Sequence, residues 1–199
     1  FNDFRIGKHC AIIFNINTKE ERIIDAPVYS VSLDGKRALT LDFARLHTLR
    51  PGYGYMNAHD STKNDKCPES PCIWVIDLVS NKVVPIITYK QLFDFEHKKS
   101  MNQAFHKVNH VMVNPSGTRF MFLHRWIKNG VKYDRLLTCR MDGKDIYNLL
   151  DEDMVSHCNW KDDTTIIAFA HTHEFGNHYY ILNDKSGERE VMDRYLPDV

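Results

Sequence analysis

One hairpin is written three times in this chain, and that repetition constrains the fold more than any other feature. Residues 28–33 lead through Asp34-Gly35 into 36–41. Residues 110–113 lead through Asn114-Pro115-Ser116-Gly117 into 118–123, and 157–160 lead through Lys161-Asp162-Asp163 into 164–169. Each copy is a short apolar-rich strand, a polar turn and a second such strand. A recurring supersecondary unit signals a repeat architecture, in which one unit buries its apolar face only against its neighbours. A residue in one copy then has a spatial counterpart in the next.

Alternation and β-branched or aromatic enrichment run from end to end. Residues 9–16 and 21–25 read as two strands. A four-strand set follows at 28–33, 37–43, 72–78 and 82–88. A second set reads 109–114, 119–125, 134–141 and 145–150, and a third 154–160, 165–170, 178–184 and 188–193. Only 89–107 offers a short helix. Four antiparallel strands per unit, recurring about every 45 residues once insertions are removed, predict an all-β β-propeller. Its alternative, a β-sandwich, does not require one hairpin three times. The expected architecture is three and a half blades in one partial propeller domain, 1–199: a half blade at 9–25 and blades at 28–88, 109–150 and 154–193. Because rings close with four to eight blades, a longer parent protein or self-association through open blade edges is expected. The start at Phe1 and the end at Val199 point the same way.

Composition narrows the partners. Lysine plus arginine equals aspartate plus glutamate, 26 each, so no basic surplus argues for nucleic acid. No apolar stretch is long enough for a membrane span. Five cysteines, with only Cys67 and Cys72 close together, match no zinc spacing and read as free thiols. The expected compartment is the cytoplasm rather than the periplasm. No phosphate-binding glycine loop, nucleophile elbow or zincin helix is present.

The unusual polar residues fall on one expected face, the one carrying the connections between blades and between second and third strands. His110 and His157 occupy the same place at the start of successive inner strands. His124 and Arg125 end a second strand, and His171 and His173 follow its counterpart. The long insertions 44–72 and 89–107 join this face, the first bringing Arg45, His47, Arg50, Tyr53 and Tyr55. Imidazoles at a channel mouth suit a divalent metal, and arginine with tyrosine suits carboxylates and sugar rings. The candidate metal ligands are therefore His110 and His157. The candidate substrate contacts are Arg45, Arg50, Tyr53, Tyr55, His124 and Arg125. A structural use of the two histidines, capping backbone or filling the channel, stays open beside the metal reading. His9, His59, His97, His106 and His178 carry no functional argument, and Trp74, Trp126 and Trp160 read as core.

Asn109-His110-Val111, Asn114-Pro115-Ser116-Gly117 and His124-Arg125-Trp126 together resemble the blades of oligogalacturonate lyases, as does Met154-Val155-Ser156-His157 followed by Trp160. Those lyases are seven-bladed propellers related to the repeat domain of TolB-type proteins. The Phe43-Ala44-Arg45-Leu46-His47 and Arg50-Pro51-Gly52-Tyr53-Gly54-Tyr55 stretches resemble an uncharacterised bacterial branch. The resemblance implies binding, and processing, of an acidic or polar saccharide by metal-assisted β-elimination. A manganese ion would be held by histidines, His110 and His157 among them, and a basic side chain would take the proton. The rival class is a non-catalytic propeller scaffold for protein or glycan interaction.

Overall fold

A computed structural model describes residues 1–192. Among the described residues, fifteen strands form four antiparallel sheets. The first holds β1 (Asn2–Arg5), β2 (Lys8–Phe14) and β3 (Glu21–Ile24), in that order. The second holds β4 (Ser30–Val31), β5 (Arg37–Leu41), β6 (Pro71–Asp77) and β7 (Lys82–Thr88). The third holds β8 (Phe105–Val113), β9 (Arg119–Lys128), β10 (Val131–Arg140) and β11 (Tyr147–Leu150). The fourth holds β12 (Val155–Trp160), β13 (Thr165–Thr172), β14 (Gly176–Asn183) and β15 (Arg189–Val191). Each sheet is a meander of sequential neighbours, the strand pattern of a propeller blade.

Boundaries differ from the sequence reading in informative places. The first sheet has three strands rather than two, because residues 2–5 pair with 8–11 across the Ile6-Gly7 turn. The inner strand of the third sheet starts at Phe105, not 109. His106 and Lys107 are therefore strand residues and not part of an insertion. The expected last strand, 188–193, ends at Val191, and position 193 lies outside the described residues. Two short helices lie in the insertions, the one expected within 89–107 and another at 43–49 where none was expected. Asp42 caps α1 (Phe43–Leu49) by accepting from the Arg45 N–H, and Thr88 with Gln91 forms a capping box on α2 (Tyr89–Asp94).

Strand period explains where the core sits. On β9, Phe120 and Phe122 pack toward the second sheet with Leu39, Ile73 and Ile87. Their neighbours Met121 and Leu123 pack toward the fourth with Val155, Ile166 and Ala168. A strand apolar on both faces must be covered on both faces, which is why this blade is sandwiched. Inner strands of adjacent blades do not pair; side chains stitch them. The Val113 N–H donates to Ser30 Oγ at 3.2 Å, and the Trp160 Nε1–H donates to the Met112 carbonyl at 2.9 Å. At the opposite face the turn 141–143 presses against β7. Gly143 sits at φ +79°, where an added Cβ would lie 2.1 Å from the Ile86 carbonyl oxygen, so only glycine fits.

Candidate functional site: a cationic mouth between blades

Strand pairing alone builds a row of charge. Lys107 on β8 stands opposite Arg125 on β9, and Arg125 stands opposite Asp134 on β10. Arg125 Nε lies 3.0 Å from the Asp134 carboxylate, and Lys132 Nζ lies 3.2 Å from its other oxygen. An Arg125 N–H also reaches the Val155 carbonyl at 3.1 Å, tying this row to the next blade. Lys107 is only 2% exposed, and its amine donates to the Leu49 carbonyl, the last residue of α1. Past that helix end, Arg50 lays its guanidinium 3.5 Å from the centre of the Tyr53 ring. Arg50 makes no ion pair among the described residues.

The charges acting on the Lys107 amine are Arg125, Arg50, Lys132 and the single acid Asp134. Burial first, and those cations second, pull its pKa from 10.5 to about 8. Roughly a tenth of such an amine is unprotonated at pH 7. Burial likewise lowers the pKa of Arg125. Tyr29, whose own pKa is raised by burial, accepts from the His110 N–H at 3.1 Å and closes the site on the side of the second sheet. The result is a cluster of surplus positive charge, Lys107 and Arg125 buried beneath Arg50 and Tyr53, whose sign suits carboxylates.

The candidate substrate contacts separate into four groups. Arg50, Tyr53 and Arg125 lie together here, with Tyr53 exposed and Arg125 buried. Arg45 does not: it is fully buried and donates to the carbonyls of His106, Thr62, Asp65 and Lys66 and to Thr62 Oγ1, at 2.6–3.1 Å. It holds the 44–72 insertion in shape and has no donor left for a ligand. His124 is also fully buried. Its Nδ1 accepts from Arg135 Nε at 3.1 Å and its Nε2 lies 2.9 Å from His106 Nδ1. Because arginine can only donate, His124 carries its proton on Nε2, and His106 then donates from Nε2 to the Met101 carbonyl. Arg135 also donates to the carbonyls of Leu92, Phe95 and Glu96. This relay fastens the 89–104 insertion, and His124 reaches no ligand. Tyr55 stacks between His9 and Phe43, at 4.3 and 4.4 Å, and its hydroxyl accepts from the Asn2 amide. It docks the first sheet.

His110 and His157 do occupy equivalent places. Each sits at a β-bulge with positive φ, 58° and 45°. The His110 ring reaches the next blade, donating from Nε2 to the Cys158 carbonyl at 2.6 Å. The equivalent ring of His157 is exposed. The pair does not fit a metal by itself. The one ring is committed to a carbonyl, and no group of three or more His, Cys, Asp or Glu among the described residues could hold an ion. His171 accepts or donates to Asn177 at the end of β13, and Trp74 is half-buried, unlike the buried Trp126 and Trp160. All five cysteines are free. Lys107 is the residue that sequence reasoning missed. Its alternation with Phe105 and Asn109 on an apolar strand was the available signal.

Meandering four-stranded sheets, stacked face to face and stitched along their inner strands, decide the architecture. It is a β-propeller fold. TolB from Acinetobacter baumannii is similar over 96% of this chain and 39% of its own, with TM-score 0.51 and 14% identity. The acylaminoacyl peptidase of Pyrococcus horikoshii is similar over 96% of this chain and 29% of its own, with TM-score 0.57 and 14% identity. The propeller domain of the Trilobed protease from Pyrococcus furiosus, described as having an open velcro topology, covers all of this chain with 52% of its own, TM-score 0.57 and 15% identity. The chain thus spans 29–52% of the length of these three proteins. No protein-family model and no curated protein sequence matches it.

Proposed function

We propose that the cationic mouth binds the carboxylate of an acidic saccharide, with Arg50 as the anion contact, Tyr53 beside the sugar ring and the buried Arg125 and Lys107 as the positive charge beneath. The observation carrying this reading is the row Lys107–Arg125–Asp134 joined by Arg50 and Lys132, four cations to one acid. Processing of the bound sugar would call on Lys107, the basic group whose lowered pKa lets it accept a proton near neutrality. No step is routed through a metal, since His110 and His157 do not fit one alone.

Calorimetric titration with a galacturonate trimer and a neutral galactose trimer tests the reading. The acidic trimer should bind preferentially, more weakly as salt rises. Arg50→Ala should weaken it about tenfold or more, the value of a charge-assisted hydrogen bond. Equal affinity for both trimers, or an unchanged Arg50→Ala variant, would leave the non-catalytic scaffold as the better account.

A further inference from the structure

A cleft of about 440 Å³ lies between the first and second sheets, within the usual size of small-molecule sites. Its walls are aromatic: Phe4 on β1, Phe43 on α1, Tyr55 in the 44–72 insertion and Trp74 on β6. Phe4 packs on His9 at 4.8 Å, and Tyr55 fills the space between His9 and Phe43. Trp74 is different. It is half-buried, and among the described residues no other ring and no cation of the protein lies against it. An open tryptophan face is the strongest aromatic site for a cation.

The charges around these rings do not balance. Lys8, on the wall, is tied to Asp25 at 2.9 Å. Arg5 is shared by two acids, Asp3 at 2.7 Å and Glu21 at 2.8 Å. Asp42, also on the wall, accepts from the Arg45 backbone N–H and forms no ion pair among the described residues. Asp60, which acts on Asp42, accepts from the Thr62 N–H and hydroxyl and leaves its other oxygen buried without a partner. The cation felt by both is Arg45, whose own donors go to carbonyls and the Thr62 hydroxyl. Five acids, Asp3, Glu21, Asp25, Asp42 and Asp60, thus stand against three cations, Lys8, Arg5 and Arg45. The surplus is negative, so an aromatic cleft here favours a cation.

We propose that this cleft binds a small quaternary ammonium ion, with its methyl groups against Trp74 and Phe4 and its charge offset by Asp42 and Asp60. A primary ammonium suits the place less well. It brings three donors that need acceptors, while Asp42 Oδ1 already accepts from Arg45 and the Tyr55 hydroxyl from Asn2. A quaternary head has no donor to leave unpaired, and ring faces with a surrounding negative field are enough to hold it. The inference is independent of the mouth, which is built around the third sheet.

Choline is the probe, with neohexyl alcohol as its neutral carbon isostere and ethanolamine as its primary-ammonium counterpart. Binding is followed by ligand-observed NMR and calorimetry on the 199-residue chain. The titrations run at about pH 8, above the ordinary imidazole range, so that His9 and His59 on the wall add no charge. Choline should bind saturably, about tenfold more tightly than either control. Trp74→Leu keeps an apolar side chain but removes the ring face, and should weaken choline about fivefold while affecting the isostere less. Asp42→Asn keeps a helix cap but removes the charge, and should weaken choline while leaving the isostere unchanged. Thermal unfolding confirms that each variant is folded, and the two sit on different elements, so either one decides. The proposal is overturned if choline fails to saturate, if a control binds as tightly, or if the folded variants bind choline as the wild type does. A trimethyllysine peptide binding about tenfold more tightly than choline would also overturn it, since the occupant would then be a protein side chain.

Discussion

Acid should loosen this protein at one identifiable place. The relay Arg135–His124–His106–Met101 works only while both imidazoles are neutral, because His124 Nδ1 and His106 Nδ1 must accept. Burial pushes the His106 pKa from 6.5 to about 4 and holds His124 well below its usual value beside the Arg135 guanidinium. The sign follows from which state takes the proton first. Between pH 6.5 and 4 the unfolded chain is protonated at His106 and the folded chain is not, so stability falls as pH falls through that window. His106 alone contributes a loss of about 2 kcal/mol between pH 7 and pH 5, rising to about 3 kcal/mol below pH 4. His124 adds in the same direction. Against a domain stability on the order of 5–15 kcal/mol the loss is large. Urea unfolding followed by tryptophan emission measures it, since buried Trp126 packs 6.3 Å from the His106 ring and 5.4 Å from His124. The His106→Gln variant isolates the contribution, because glutamine does not titrate. Its pH slope between 7 and 5 should be smaller than that of the wild type by about 2 kcal/mol. Equal slopes in the two proteins would refute the relay as drawn.

Three further outcomes follow from the packing. Arg45→Met should cost about 3–5 kcal/mol and expose the 44–72 insertion to proteolysis, because it strands the carbonyls that Arg45 now satisfies; an unchanged cleavage pattern would contradict that. Gly143→Ala should lower the unfolding midpoint by the equivalent of about 2 kcal/mol or more, since the new Cβ meets the Ile86 carbonyl oxygen and the backbone is left-handed; a neutral substitution would mean the turn can move aside. The face of the fourth sheet carrying Ile167, Phe169, Tyr179 and Ile181 alternates with the buried one and is partly exposed, so light scattering should find self-association that Ile181→Lys reduces; a monomer at high micromolar concentration would count against it.

The propeller was legible because its signal is local. Period-two alternation and turn residues such as Asp34-Gly35 and Asn114-Pro115-Ser116-Gly117 fix strands and hairpins, and repetition fixes the architecture. The two short helices were also within reach, since Asp42 with Leu46 and Leu49, and Thr88 with Gln91, are capping and spacing signals. The site was only half legible. Arg50, Tyr53 and Arg125 could be assigned to one face from connection order alone. What separates a ligand-binding arginine from a buried strut is the identity of its acceptors, and those come from far along the chain. Arg45 is spent on carbonyls 17 to 61 residues away and Arg135 on carbonyls about 40 away. A sequence states that a guanidinium is present; only packing decides whether backbone oxygens or water surround it. The same holds for the histidines. Repetition placed His110 and His157 at equivalent positions, but the Cys158 carbonyl of the neighbouring blade gave the first its role. Alternation determines which way a side chain faces, and tertiary contact determines what it finds there.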